Sequence, residues 1–100
     1  MLNKLTHADF AACLNQTFHI HLESMPPLKA ELIDVAHMGS EPQDEGARWA
    51  FSIVLRGPQE PLLPQQIYPV EHEQMGTLDL FLVPLGPDKE GNIKYEAVFT

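Results

Sequence analysis

The segment Trp49-Ala50-Phe51-Ser52-Ile53-Val54-Leu55-Arg56 decides the fold of this chain. Large apolar side chains occupy every second position of it, from Trp49 to Leu55. Because successive side chains of a strand point to opposite faces, this period of two predicts a strand with one face in the core. We therefore expect Trp49 to be buried, and its replacement by alanine to cost about 3–5 kcal/mol of stability.

Strand patterns also lie on both sides of this segment. Apolar and polar residues alternate over 17–23, and two prolines at 26 and 27 end that strand. Further strands are predicted over 28–37, 67–74, 77–85 and 93–100. The apolar phase of the 28–37 strand slips between Leu32 and Ile33, which either a β-bulge or burial on both faces would explain. Pro69 places the 67–74 strand at a sheet edge or at a bulge.

One short helix is predicted before the first strand. Thr6 and Asp9 have the spacing of a capping box, which indicates a helix over about residues 7–15. Phe10 and Leu14 lie four residues apart and would share its buried face, with Cys13 beside them.

These elements predict a mainly β protein: a small antiparallel barrel or sandwich of about six strands with one short N-terminal helix, forming a single β domain over residues 1–100. The run over 78–85 is apolar on both faces. We expect one of its faces to meet the core and the other to lie under the helix. The last strand must be paired, because its apolar edge would otherwise be exposed.

Composition narrows the possible partners and compartments. Six Lys and Arg stand against fourteen Asp and Glu, which gives a formal charge of −8. Since binding to phosphates relies on cationic contacts, we expect neither nucleic acid nor an anionic membrane as a partner. The single cysteine permits no intramolecular disulfide and favours a reducing compartment. A secretory signal pattern and a run of about 18 apolar residues are both missing, so we expect a soluble, cytoplasmic protein.

Three segments carry a resemblance to a known family: FSIVLRGP (51–58), GTLDLFLVP (76–84) and YEAVF (95–99). They resemble a family of short, uncharacterised bacterial proteins, a domain of unknown function of about this length. The resemblance implies a small β-rich single domain and a bacterial origin. It implies no catalytic residues and therefore no mechanism.

Two histidines in the first strand suggest a metal site. His19 and His21 lie two residues apart, so they share one face of the strand, and imidazole pairs bind zinc, copper or iron. They lie opposite the apolar face, however, and Glu23 is not a convincing third ligand. We expect a solvated polar face and no bound metal or other cofactor.

His72 is the first candidate for a ligand-binding or catalytic role. Strand geometry sets Glu71 and Glu73 on the opposite face from His72, which shares its parity with Tyr68 and Val70. An inward His72 near Tyr68 could orient a ligand or act as a general base. The alternative is a histidine at the barrel rim bonded to a carbonyl.

Three functions remain open, and the first is a non-enzymatic interaction or assembly module. It rests on the lack of catalytic motifs, a thin core, strand edges available for pairing, and a proline-rich loop over 58–64 that a partner could read. An ordinary rigid loop is the alternative for that segment. The partner would be another protein or a second copy.

The second function is a carrier of a small apolar ligand, and the third is an enzyme that uses His72. The carrier would bind in a barrel pocket with His72 as its polar contact. The candidate pocket residues are Trp49, Phe51, Tyr68, His72, Leu80, Leu82 and Tyr95. Because about eight strands are needed before one small ligand fits easily, we expect a filled interior with at most a shallow pocket where Tyr68 and His72 emerge.

Overall fold

The computed structural model describes residues 5–44 and 47–100. In this part of the chain one short helix precedes six antiparallel strands. The elements are α1 (His7–Ala11), β1 (Thr17–Ile20), β2 (Leu28–His37), β3 (Phe51–Arg56), β4 (Gln66–His72), β5 (Gly76–Pro87) and β6 (Ile93–Phe99). The strands close into a barrel in the order β1-β2-β3-β6-β5-β4, with β4 paired to β1. The mainly β class with one short helix is confirmed, and the barrel rather than the sandwich is correct.

Barrel closure gives each described strand two neighbours. The last strand is paired with both β3 and β5, as its apolar edge requires. The strand edges on which the assembly hypothesis relied are therefore only partly occupied within the barrel, since residues 34–37 of β2, for example, pair with β3 alone. Pro69 does not mark an edge strand either, since β4 pairs on both sides. The Pro69 carbonyl accepts from the His21 N–H at 2.8 Å. The last pair of the β1–β4 ladder is Ile20–Val70, so the N–H that proline lacks would lie just beyond the end of that ladder.

The irregularity in β2 is a bulge. Leu32 pairs with Leu55 and Asp34 pairs with Val54, so Ile33 is the extra residue. The bulge resets the phase of the strand, which lets Leu32 and Val35 both face inward. The bulge interpretation is therefore confirmed over burial on both faces.

The capping box of α1 is confirmed, but the helix is shorter than predicted. The Thr6 Oγ1 accepts from the Asp9 N–H at 3.2 Å, and the Thr6 N–H donates to Asp9 Oδ2 at 2.9 Å. Helical structure ends at Ala11, and the chain turns through Asn15 with φ of +69°. Leu14 is therefore exposed, and the prediction that it shares the buried face of Phe10 is wrong.

The helix closes one end of the barrel. The Phe10 ring lies 5.9 Å from that of Phe51 and 5.1 Å from that of Phe99, centroid to centroid. Helix α1 packs mainly against β2 and β3. The prediction that it covers the outer face of 78–85 is therefore wrong, and Phe81 and Leu85 on that strand are exposed.

The loop over 57–65 closes the other end. Leu63 is buried in the core, and its N–H donates to the Tyr95 hydroxyl at 3.0 Å. The Tyr68 hydroxyl donates to the Pro64 carbonyl at 2.6 Å. Inward side chains from all six strands lie between these two closures and form a single core. No helix in the described part of the chain is long and apolar enough to cross a membrane.

Candidate functional site

Six of the seven predicted pocket residues form the core itself. Each is exposed by 3% or less, and all but His72 belong to one cluster of buried apolar residues. They are Phe51, Tyr68, His72, Leu80, Leu82 and Tyr95. Alternation correctly assigns their direction, since all six point inward. At this exposure their own side chains occupy the interior, so they do not line an open mouth for a ligand.

The seventh residue, Trp49, lies outside the barrel. Strand β3 begins at Phe51, so the alternation that includes Trp49 in the sequence is not continued by the ladder. Its indole stacks on the His37 ring at 3.8 Å and donates from Nε1 to the Gly39 carbonyl at 3.2 Å. Trp49 is half-buried, and its predicted place in the core is wrong.

Two buried tyrosines lie near the loop end of the barrel. Burial raises the pKa of the Tyr95 hydroxyl, and the hydrogen bond from the Leu63 N–H partly offsets that rise. Burial also raises the pKa of the Tyr68 hydroxyl, with a further contribution from Tyr95. His72 is at the far end of β4, so the prediction that Tyr68 and His72 emerge together is wrong.

Replacing Tyr95 with phenylalanine is expected to lower the free energy of unfolding by about 1–3 kcal/mol, because the buried Leu63 N–H loses its acceptor. Tyr68→Phe is the matched control. It removes a donor from the carbonyl of exposed Pro64, which water can replace, so its cost should be below about 1 kcal/mol. Urea denaturation measures both variants. A Tyr68→Phe loss equal to or larger than that of Tyr95→Phe would contradict this account of the loop closure.

His72 is held in one neutral tautomer. Its Nδ1 accepts from the main-chain N–H groups of Gln74 and Met75, at 3.1 and 3.3 Å. Its Nε2 therefore carries the proton and donates to Gln16 Oε1 at 2.6 Å. The Phe18 ring packs at 4.6 Å. Both ring nitrogens are thus engaged, an arrangement that orders the β4–β5 turn and the start of β1.

The other histidines of the β1–β4 surface face outward. His21 Nε2 lies 2.9 Å from Glu71 Oε1, with both side chains partly exposed, and His19 pairs with Glu71 across the two strands. A polar cleft of about 670 Å³ adjoins them. It is lined by Asn15, Gln16, Thr17, His19, Pro27, Glu71, His72 and Glu73. No group of three metal-ligating side chains that could hold an ion occurs among the described residues.

Cys13 is buried beneath α1 as a small apolar residue. Burial raises the pKa of its thiol, and the nearby Asp9 carboxylate raises it further. Both effects disfavour the thiolate, which is the reactive form of cysteine.

An apolar row crosses the outer surface of three neighbouring strands. Ile67 of β4 pairs with Phe81 of β5. The β5–β6 register sets Val83 opposite Glu96, and Val98 follows Glu96 by two residues, so it shares the outward face of β6. The exposed fractions of Ile67, Phe81 and Val98 are 63%, 49% and 48%. Since neighbouring strands lie about 4.8 Å apart, the three strands that carry the row span about 10 Å.

Acidic side chains stand on both sides of this apolar row. Asp79 precedes Phe81 by two residues and is exposed on one side of the row. Glu96 precedes Val98 by two residues and lies on the other side, because β5 and β6 run in opposite directions. Lys94 lies beyond Glu96, farther from the row. The surface is therefore an apolar row between two carboxylates.

A second surface feature is an aromatic cleft beside α1. His37 is stacked between Trp49 at 3.8 Å and His7 at 4.1 Å, with interplanar angles of 16° and 9°. The edge of His7 meets Phe51, and the Arg48 guanidinium lies 5.7 Å from the Phe51 ring centroid. Arg48 also donates to main-chain oxygens of Leu5 and Thr100. The cleft has a volume of about 460 Å³.

The fold and these surfaces define a small closed β-barrel domain whose candidate sites lie on its outer face and at one end. The chain belongs to the DUF6916 family, a domain of unknown function, whose family model matches residues 5–99. The resemblance to a domain of unknown function is thereby confirmed. No curated protein and no solved structure matches the chain.

Proposed function

We propose that this protein is a non-enzymatic interaction module that binds a partner protein through the apolar row Ile67–Phe81–Val98. The observation that carries the proposal is that three exposed apolar side chains lie on the neighbouring strands β4, β5 and β6, and that two of them, Ile67 and Phe81, are directly paired. Isolated apolar residues are normal on a protein surface, but an aligned set with polar margins is typical of an interaction site.

The occupant that fits this surface is an amphipathic helix with a basic edge on each side of its apolar stripe. Two turns of an α-helix span about 11 Å, close to the length of the row. Lys or Arg at both edges of such a helix would lie near Asp79 and Glu96. The net charge of −8 also favours a basic partner by steering its approach.

Charge argues against a second copy as the occupant. A two-fold axis along the row would set Asp79 of one copy against Glu96 of the other. An axis along the strands would set Asp79 against Asp79. Either arrangement brings like charges together at the margin of the interface, which opposes association.

The other two functions have less support. A carrier needs an open interior, whereas the predicted pocket residues inside the barrel are buried against one another. A general base needs a lone pair that substrate can reach, whereas the Nδ1 of His72 accepts two main-chain hydrogen bonds. The outer surface is therefore the better candidate for function.

Calorimetric titration with a short amphipathic helical peptide of Leu and Lys tests the proposal. We expect binding with a dissociation constant on the order of 10–100 µM, because a short row offers little area. Phe81→Ser should weaken it by about tenfold or more, since it removes the centre of the row. Leu14→Ser is the matched control, because Leu14 is similarly exposed but lies after α1, and it should bind as the parent does.

Two controls decide what the row recognises. The corresponding peptide of Leu and Glu should not bind, because its charges repel Asp79 and Glu96. Equal binding of both peptides, or equal effects of Phe81→Ser and Leu14→Ser, would overturn the proposal. A dimer in sedimentation that Phe81→Ser dissociates would show that the occupant is a second copy, and would overturn the choice of a basic partner.

A further inference from the structure

We infer that a small pocket beside the apolar row binds an arginine side chain of the partner protein, an inference that rests on the proposed function of the row. The pocket lies between the segment after β1 and the first half of β4, and its volume is about 290 Å³. Ile67, the end residue of the row, is one of its walls. Its lining includes His21, Leu22, Glu23, Gln66, Ile67 and Pro69.

The strand order places this pocket in line with the apolar row. Strand β4 pairs with β5 on one side and with β1 on the other, so the pocket and Phe81 lie on opposite sides of Ile67. The β1–β4 ladder ends at the pair Ile20–Val70. Residues 66–68 of β4 therefore pair with β5 alone, which leaves space beside them for a side chain.

A partner helix that lies along the row would bring its next turn to this pocket. One turn of an α-helix advances about 5.4 Å, and neighbouring strands lie about 4.8 Å apart. A side chain one turn beyond the residue that contacts Ile67 therefore comes over the pocket. The pocket volume is at the lower limit of small-molecule sites, about 300–1,000 Å³, so a single side chain suits it better than a free ligand.

The pocket walls suit a side chain with an apolar stem and a polar end. Leu22 is partly buried against the core, and with Ile67 and the Pro69 ring it offers apolar surface to the stem. Gln66 and Glu23 are exposed, and their amide and carboxylate oxygens are acceptors for the end. A guanidinium has five donors in a planar fork that can bind a carboxylate and a further acceptor together, which favours arginine over lysine.

The charge of the pocket is negative in either protonation state of His21. Glu23 takes part in no ion pair or hydrogen bond within the described part of the chain. His21 Nε2 lies 2.9 Å from Glu71 Oε1, so that pair carries a charge of zero or −1. No Lys or Arg occurs among the described residues that line the pocket. The pocket therefore attracts a cationic side chain and repels an anionic one.

Calorimetric titration with two variants of the Leu/Lys helical peptide tests the inference. One variant carries arginine one turn beyond each end of its apolar stripe, because the helix can lie in either direction. The other carries citrulline, an uncharged side chain of the same shape, at the same positions. We expect the arginine peptide to bind about fivefold more tightly. Glu23→Gln should reduce this ratio to below about twofold, because it removes the charge and keeps the shape.

Glu73→Gln is the matched control, because it removes the same charge from the polar cleft beyond the other end of β4. It changes the net charge of the protein equally, so it should keep the ratio of about fivefold. Equal affinities of the arginine and citrulline peptides, or equal effects of Glu23→Gln and Glu73→Gln, would overturn the inference and leave the proposed function standing. Failure of these peptides and of the original Leu/Lys peptide to bind would overturn both.

Discussion

Phe51→Ala is expected to lower the free energy of unfolding by about 3–5 kcal/mol, because it removes a fully buried ring from the start of β3. The Phe51 ring stacks on Phe99 at 4.7 Å and meets Phe10 at 5.9 Å, so its loss leaves a cavity where the helix meets the barrel. Urea denaturation, followed by far-ultraviolet circular dichroism, measures the change.

Phe81→Ala is the matched control for this prediction. It deletes the same ring from another strand, but the Phe81 side chain is half exposed on the outer face of β5. Its cost should be below about 1 kcal/mol, the usual size for surface substitutions. Similar losses in the two variants would show that the inward and outward faces of the barrel are assigned wrongly.

Phe10→Ala is the second large effect, also about 3–5 kcal/mol. Phe10 is the fully buried side chain of α1, and its ring contacts both Phe51 and Phe99. Its removal deletes the contact by which the helix closes the barrel. The same denaturation experiment measures it, with Leu14→Ala as the control, because Leu14 follows the helix and is exposed.

The Phe10 variant also distinguishes two descriptions of the helix. If α1 completes the core, Phe10→Ala costs far more than Leu14→Ala. A Phe10→Ala loss below about 1 kcal/mol would show that the barrel is stable without the helix, contrary to the packing described for this end.

The alternation of apolar and polar residues along the sequence predicted the strands and the residues that point inward from them. Phe51, Tyr68, His72 and Leu80 all point inward as their parity requires, because a period of two maps directly onto the two faces of a strand. Trp49 fails the same test for a local reason. Parity in the sequence does not say where pairing begins, and the β3 ladder begins two residues later.

The placement of the helix could not be predicted in the same way. The capping box marks where α1 starts, but a buried Phe10 does not show which strands it packs against. A helix over the outer face of 78–85 would bury Phe81, so the sequence prediction did not include an exposed apolar row on this strand. Its signal was present in the sequence, since Ile67 and Phe81 are apolar residues at positions of outward parity.

The two candidate sites are defined by different features of the structure, so predicting them would require different information. The apolar row depends on the strand register, because its members lie far apart in the chain and become neighbours only across β4, β5 and β6. The aromatic cleft depends on side-chain packing between α1, β2 and the segment before β3. Neither relation follows from spacing along the chain.

Chemical-shift mapping of the Leu/Lys helical peptide on isotope-labelled protein tests the central claim most directly. We expect saturable changes concentrated at the amides of Ile67, Phe81 and Val98 and at their acidic neighbours, and their loss in Phe81→Ser. Saturable changes centred instead on the polar cleft or on Trp49, or changes that persist unaltered in Phe81→Ser, would contradict the assignment of the apolar row as the binding surface.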